Sequence, residues 1–143
     1  MVCMLLSRRD LKILLPVLAA RASAQSGQAL SSAVYHDGRI SYAGDDKKKG
    51  RSVFHGATHS GFDLEMHETI LSPETQTHAP HKHEHEEIVI VFEGTVEAWI
   101  EGKTEIAEKG SVIYFGSNQM HSARNAGSGA SRYYVIELRG NRG

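Results

Sequence analysis

The stretch His81-Lys82-His83-Glu84-His85-Glu86-Glu87-Ile88-Val89-Ile90-Val91-Phe92-Glu93-Gly94 runs from a cluster of histidines into an apolar strand and ends on a glycine turn. Its strand, Glu87 to Phe92, is apolar at 88, 90 and 92 as well as at 89 and 91. A strand with one face in water alternates instead. One face therefore lines an interior, and the other is covered by a second sheet, by the N-terminal segment or by another subunit, which makes a homodimer an expectation. Side chains two apart in an extended chain share a face, so His81, His83, His85 and Glu87 point one way while Lys82, Glu84 and Glu86 point the other.

Outward from this stretch the chain reads as more short strands and turns. The expected strands are Ala33–Tyr35, Val53–His55, Asp63–Leu71, Glu87–Phe92, Thr95–Glu101, Lys103–Ala107, Ser111–Phe115 and Arg132–Leu138, separated by clusters of Gly, Asn, Asp, Ser or Pro. Glu93-Gly94, Glu101-Gly102 and Lys109-Gly110 each place a glycine where a hairpin or corner needs positive φ. No segment sustains a helical period. Many short strands with glycine-rich turns predict an all-β sandwich or barrel, jelly rolls included.

The remaining bulk features exclude more than they select. At 143 residues, 40% hydrophobic and 23% charged, the chain holds one ordinary domain. Net charge is -1 and the basic residues are scattered apart from Lys47-Lys48-Lys49, a solvated run beside Asp45 and Asp46. No nucleic-acid partner is expected. The only cysteine is Cys3, so no disulfide is available and a metal would be held by imidazole nitrogen and carboxylate oxygen. Histidine is abundant, with nine copies, four of them between His78 and His85.

Residues 1–24 read as a signal peptide: a basic segment, a short apolar stretch Ile13 to Ala20, then Ala22-Ser23-Ala24 before Gln25. The apolar stretch is far below the roughly 20 residues that span a bilayer, so no membrane anchor is expected after cleavage. Ser7-Arg8-Arg9-Asp10-Leu11-Lys12 resembles a twin-arginine export signal, with Leu11 where Phe is commoner. A periplasmic or secreted bacterial protein is the expectation. Its cleavage would leave 12 basic against 16 acidic residues. Residues 25–31 read as a flexible leader and 32–143 as the barrel.

His81, His83 and Glu87, sharing one face, make three facial ligands for one divalent transition metal such as Fe(II), Mn(II), Ni(II), Zn(II) or Cu(II). A fourth ligand can come from His121, the only histidine after residue 85, which follows the turn Gly116-Ser117-Asn118-Gln119. A carboxylate at the head of an apolar strand also calls for a partner cation.

His81 to Gly94 looks like the first motif of the cupins, G-x5-H-x-H-x3-E-x6-G, with His81, His83, Glu87 and Gly94 in place. Gly110 to Asn125 is similar to the second, G-x5-P-x-G-x2-H-x3-N, with Gly110, His121 and Asn125 matching. The spacer Thr95 to Lys109, 15 residues long, resembles that of compact single-domain bacterial cupins. The departures, Thr75, Gly116 and Asn118, fall at turn positions where Gly and Asn serve as well as Pro and Gly.

The resemblance implies an antiparallel double-stranded β-helix, a jelly-roll barrel, with metal ligands His81, His83, Glu87 and His121. It also implies a choice among dioxygenase, isomerase, lyase or decarboxylase chemistry on a small molecule. The alternative is a non-catalytic binding or sensing module; fold alone does not decide. Val89 and Val91, by parity with Glu87, and Tyr114, Tyr133 and Met66 are candidate pocket residues, with His85 at the rim. Glu137 reads as an edge-strand carboxylate facing water.

Overall fold

The computed structural model describes residues 29–140. It builds them from β1 (Ala43–Gly44), β2 (Lys48–Ala57), β3 (Asp63–Leu71), β4 (Glu86–Glu93), β5 (Thr95–Ile100), β6 (Lys103–Glu108), β7 (Val112–Phe115), β8 (His121–Asn125) and β9 (Ser131–Arg139). A single turn of 3-10 helix covers Asp37–Arg39. The expected signal peptide lies outside the described residues, as does most of the 25–31 leader; within that leader Leu30 donates its amide to the Ala57 carbonyl at 2.8 Å.

Strand pairing is antiparallel throughout, in a six-stranded sheet ordered β1-β2-β3-β9-β4-β7 and a three-stranded sheet ordered β6-β5-β8. The segment after β3 crosses between them along the free side of β8: the Thr75 carbonyl accepts from the Asn125 amide, the Thr77 amide donates to the Ala123 carbonyl, and His81 and His121 exchange a reciprocal pair. This is the all-β jelly-roll barrel predicted. Leu71, Val89, Val91, Val96, Ala98, Ala107, Ile113, Phe115, Ala123, Tyr133 and Val135 fill the space between the sheets. Every one comes from an inward register position, so the parity of each strand decides the core.

The glycine turns behave as expected, with φ of 75° at Gly94, 84° at Gly102 and 92° at Gly110. Gly94 is doubly constrained, because a Cβ there would lie 2.5 Å from the Ala130 carbonyl oxygen. Four element expectations need correction. Ala33–Tyr35 is not a strand; it is exposed chain that lays Tyr35 against Phe54, ring centroids 5.2 Å apart. Val53–His55 is the middle of a ten-residue β2. Both β1 and β8 were absent from the expected strands. The expected cover on the second face of β4 is partial. Phe92 stacks on Tyr134 at 4.8 Å with Arg132 above it, whereas Ile88 is 36% exposed beside Val112 and Tyr114 at 64% and 60%.

One charged cluster fastens residues 37–44 to the sheet. Glu68 on β3 is fully buried and accepts hydrogen bonds from Tyr42 at 2.7 Å, Arg51 Nε at 2.6 Å and Arg132 Nη2 at 2.7 Å. Arg51 also pairs with Asp37. Burial alone would raise the Glu68 carboxyl, but hydrogen bonds from Tyr42, Arg132 and Arg51 outweigh it and hold the group below its ordinary value.

Candidate metal centre

His81 and His121 face each other because their backbones form an isolated antiparallel bridge, with reciprocal N–H to O hydrogen bonds of 3.0 and 2.9 Å. His83 is positioned by the turn before β8, where Asn118 donates its amide to the His83 carbonyl at 2.7 Å. The three rings converge, with centroids 5.3 Å (His81 to His83), 4.7 Å (His81 to His121) and 4.8 Å (His83 to His121) apart. Phe115 stacks on His121 at 4.3 Å and closes the floor.

Each of these imidazoles has its Nδ1 against a backbone carbonyl: Ala79 at 3.3 Å for His81, His85 at 2.8 Å for His83 and Gln119 at 2.8 Å for His121. A carbonyl only accepts, so Nδ1 carries the proton and Nε2 keeps a bare lone pair directed inward. Nε2 of His83 and of His121 is buried with no hydrogen-bond partner. His83 Nε2 does lie 2.9 Å from Glu87 Oε1, but a bare lone pair and a carboxylate oxygen are both acceptors, so the close approach leaves the nitrogen unsatisfied. Burial holds the His121 imidazole below its ordinary value, and burial with the neighbouring His83 does the same for His85.

The ligand atoms form two overlapping triads, His81–His83–His121 and His83–His85–Glu87, each within 4.8 Å. Glu87, at the head of β4, reaches 3.8 Å from His121 Nε2 through its other oxygen. Preset tautomers, unpaired inward lone pairs and an adjacent carboxylate are what a divalent ion with nitrogen and oxygen preferences requires. His81, His83, His121 and Glu87 therefore fit such an ion.

The convergence does not arise as strand parity predicted. Residues 81–85 precede β4 and are not a strand, and His85 stacks on His83 with centroids 3.6 Å apart. His85 Nε2 then lies 3.2 Å from Glu137.

Above the centre is a cavity of about 420 Å³, walled by Val89, Phe115, Val135, Tyr133, Glu87 and Glu137 among others. Of the expected pocket residues, Val89 and Tyr133 border it. Val91 is fully buried in the core. Tyr114 is corrected: it pairs with Ile88 on the outward face of the sheet and is 60% exposed. Met66 is likewise corrected, since it pairs with Ile136 on that face. Glu137 is not on an edge, because β9 lies between β3 and β4 and carries the carboxylate inward, opposite Glu65 and Glu87.

Sequence reasoning missed Glu65 and His67, which border the cavity. The available signal was their alternation with Leu64, Met66 and Glu68 along β3, with Thr69 and the buried Leu71 on the same parity. Burial raises the Tyr133 phenol, and the Glu87 charge raises it further. The Thr69 hydroxyl offsets part of this, though the two hydroxyls do not reach hydrogen-bond geometry.

Residues 67–137 match the family model described as Cupin domain. No curated protein matches the chain. Among solved structures, KdgF from Halomonas sp. is similar at 18% identity and TM-score 0.67, covering 78% of this chain and 97% of its own. The polyketide cyclase RemF from Streptomyces resistomycificus is similar at 19% identity and TM-score 0.62, covering 80% and 83%. The Cupin_2 domain of an XRE family transcriptional regulator from Enterobacter cloacae is similar at 21% identity and TM-score 0.55, covering 68% and 100%. Residues 67–137 are thus similar to the Cupin domain family, and the solved structures share the jelly-roll barrel fold of this chain.

Proposed function

We propose that this protein is a metal-dependent cupin enzyme that binds one divalent transition ion through His81, His83, Glu87 and His121 and acts on a small molecule in the adjoining cavity. The observation that carries the reading is the set of three imidazoles, each with Nδ1 against a carbonyl, two of them with buried, unpartnered Nε2 atoms. A bound ion supplies Lewis acidity toward an oxygen of the ligand. The chain's own contribution is to hold that ligand against a wall of Val89, Val135 and Phe115.

Dioxygenase, isomerase and lyase chemistry all suit such a site. A non-catalytic sensing module is the second reading, favoured by the likeness to a regulator's cupin domain. The test is metal titration followed by turnover screening of small oxygenated compounds, with and without dioxygen. Stoichiometric binding with turnover supports the enzyme, and binding without turnover supports the sensing module. Absence of stoichiometric binding overturns both.

Export is part of the same proposal, resting on the twin-arginine-like segment Ser7 to Lys12 and the Ala22-Ser23-Ala24 site. Cell fractionation with N-terminal sequencing tests it: a chain starting at Gln25 outside the cytoplasm supports it, and an intact cytoplasmic chain contradicts it. The exposed Val112, Tyr114, Ile88 and Leu138 support a homodimer through this face.

A further inference from the structure

Tyr133 lies inside the barrel, 1% exposed, and its hydroxyl has no hydrogen-bond partner. A phenylalanine would pack the same ring without the cost of an unpaired buried hydroxyl. Tyr133 is one of the residues that border the cavity. Beside it three carboxylates line up across adjacent strands, since the register sets Glu65 opposite Glu137 and Glu137 opposite Glu87. Like charges directly opposite repel. Arg139 answers only part of the row, reaching Glu137 at 2.5 Å and Glu65 at 3.5 Å. Of the other cations near the cavity, Arg51 is paired with Glu68 and Asp37, and Lys48 donates to the Thr77 carbonyl at 3.0 Å, away from the carboxylate row.

Among the described residues the wall thus presents a buried phenol hydroxyl without a partner and a row of carboxylate acceptors. We infer that the cavity takes a small uncharged polyhydroxylated compound, one oxygen of which accepts from the Tyr133 hydroxyl while its own hydroxyls donate to Glu65 and Glu137. This rests on the metal-site reading only in placing that compound beside His81, His83 and His121. Tyr133 is a ligand-contacting residue in this arrangement, and the carboxylate row turns away compounds with terminal carboxylates.

Erythritol and tartrate make a matched pair of four-carbon probes, one ending in hydroxyls and the other in carboxylates. Amide chemical shifts are followed by NMR while full-length protein, zinc-loaded and metal-free, is titrated with erythritol, and the metal-free form with tartrate. Erythritol is expected to shift amides of residues 65–69 and 133–137, with tartrate at least tenfold weaker. Tyr133→Phe is expected to weaken erythritol about five- to tenfold, with the melting temperature equal to or above that of the wild type and zinc content unchanged. Glu65→Gln is expected to weaken erythritol and strengthen tartrate.

No response to erythritol, equal affinity in Tyr133→Phe, or tartrate binding as tightly as erythritol overturns the inference. If any of these occurs while zinc binds stoichiometrically, the metal-site reading stands alone. If zinc fails to bind, that reading falls and the metal-free titration decides the inference by the same outcomes.

Discussion

Asn118 stands where the second cupin motif has glycine, and its φ of 58° explains why either residue serves. The left-handed region is open to glycine and tolerated by asparagine, while other side chains are strained there. Asn118→Gly should therefore leave stability nearly unchanged, and Asn118→Val should lower it by about 1–2 kcal/mol, as chemical denaturation will measure. The matched Asn125 turns out to be a structural residue. Fully buried, it donates to the carbonyls of Leu71 at 2.9 Å and Gly129 at 2.8 Å and accepts from the Gly127 amide at 2.8 Å. Asn125→Ala strands those partners, and a loss of about 2–4 kcal/mol is expected in the same measurement. Motif spacing singled out His81, His83, Glu87 and His121, four residues that the fold brings close together. Glu137 and Tyr114 were misread because the side a residue faces depends on which strands flank its own, which spacing does not encode.

Among the elements, β3, β5 and β6 were legible almost to the residue, because Gly61 and Ser72-Pro73 bound β3 while Gly94, Gly102 and Gly110 mark the turns around β5 and β6. The first half of β2 was hidden by Lys48-Lys49-Gly50-Arg51-Ser52, a polar run that pairs with β3 all the same. Its Arg51 is 6% exposed and is held by Glu68, a contact across 17 residues that no local pattern announces. Strand β8, His121-Ser122-Ala123-Arg124-Asn125, is polar along its length because it serves the site and the loops as well as the core.

The Glu68 cluster makes a pH prediction for this part of the molecule. Its folded carboxyl titrates below the ordinary value of 4.5, so the stabilisation is present above that value and is lost as pH falls through the folded one. Urea midpoints should therefore drop as pH falls below about 4.5, and Glu68→Gln, measured alongside, should flatten that dependence. A midpoint independent of acid pH in the wild-type protein would contradict the assignment.

At the scale of the whole molecule, two sheets enclose the site and one of them offers an apolar outer face. Light scattering should give a dimer mass for the wild-type protein and a monomer mass for Tyr114→Glu, since a charge at a 60% exposed position breaks an interface without touching the core. A wild-type monomer at micromolar concentration would remove the dimer. The barrel itself was legible from strand count and glycine turns, whereas the second metal-side wall formed by β3 and β9 was not, because it depends on strand order. X-ray absorption spectroscopy of stoichiometrically loaded zinc protein tests the central claim most directly. The predicted spectrum contains three imidazoles at about 2.0–2.1 Å with oxygen completing the shell, and one imidazole fewer in His121→Ala. A shell of oxygen alone, or a spectrum unchanged by His121→Ala, would contradict it.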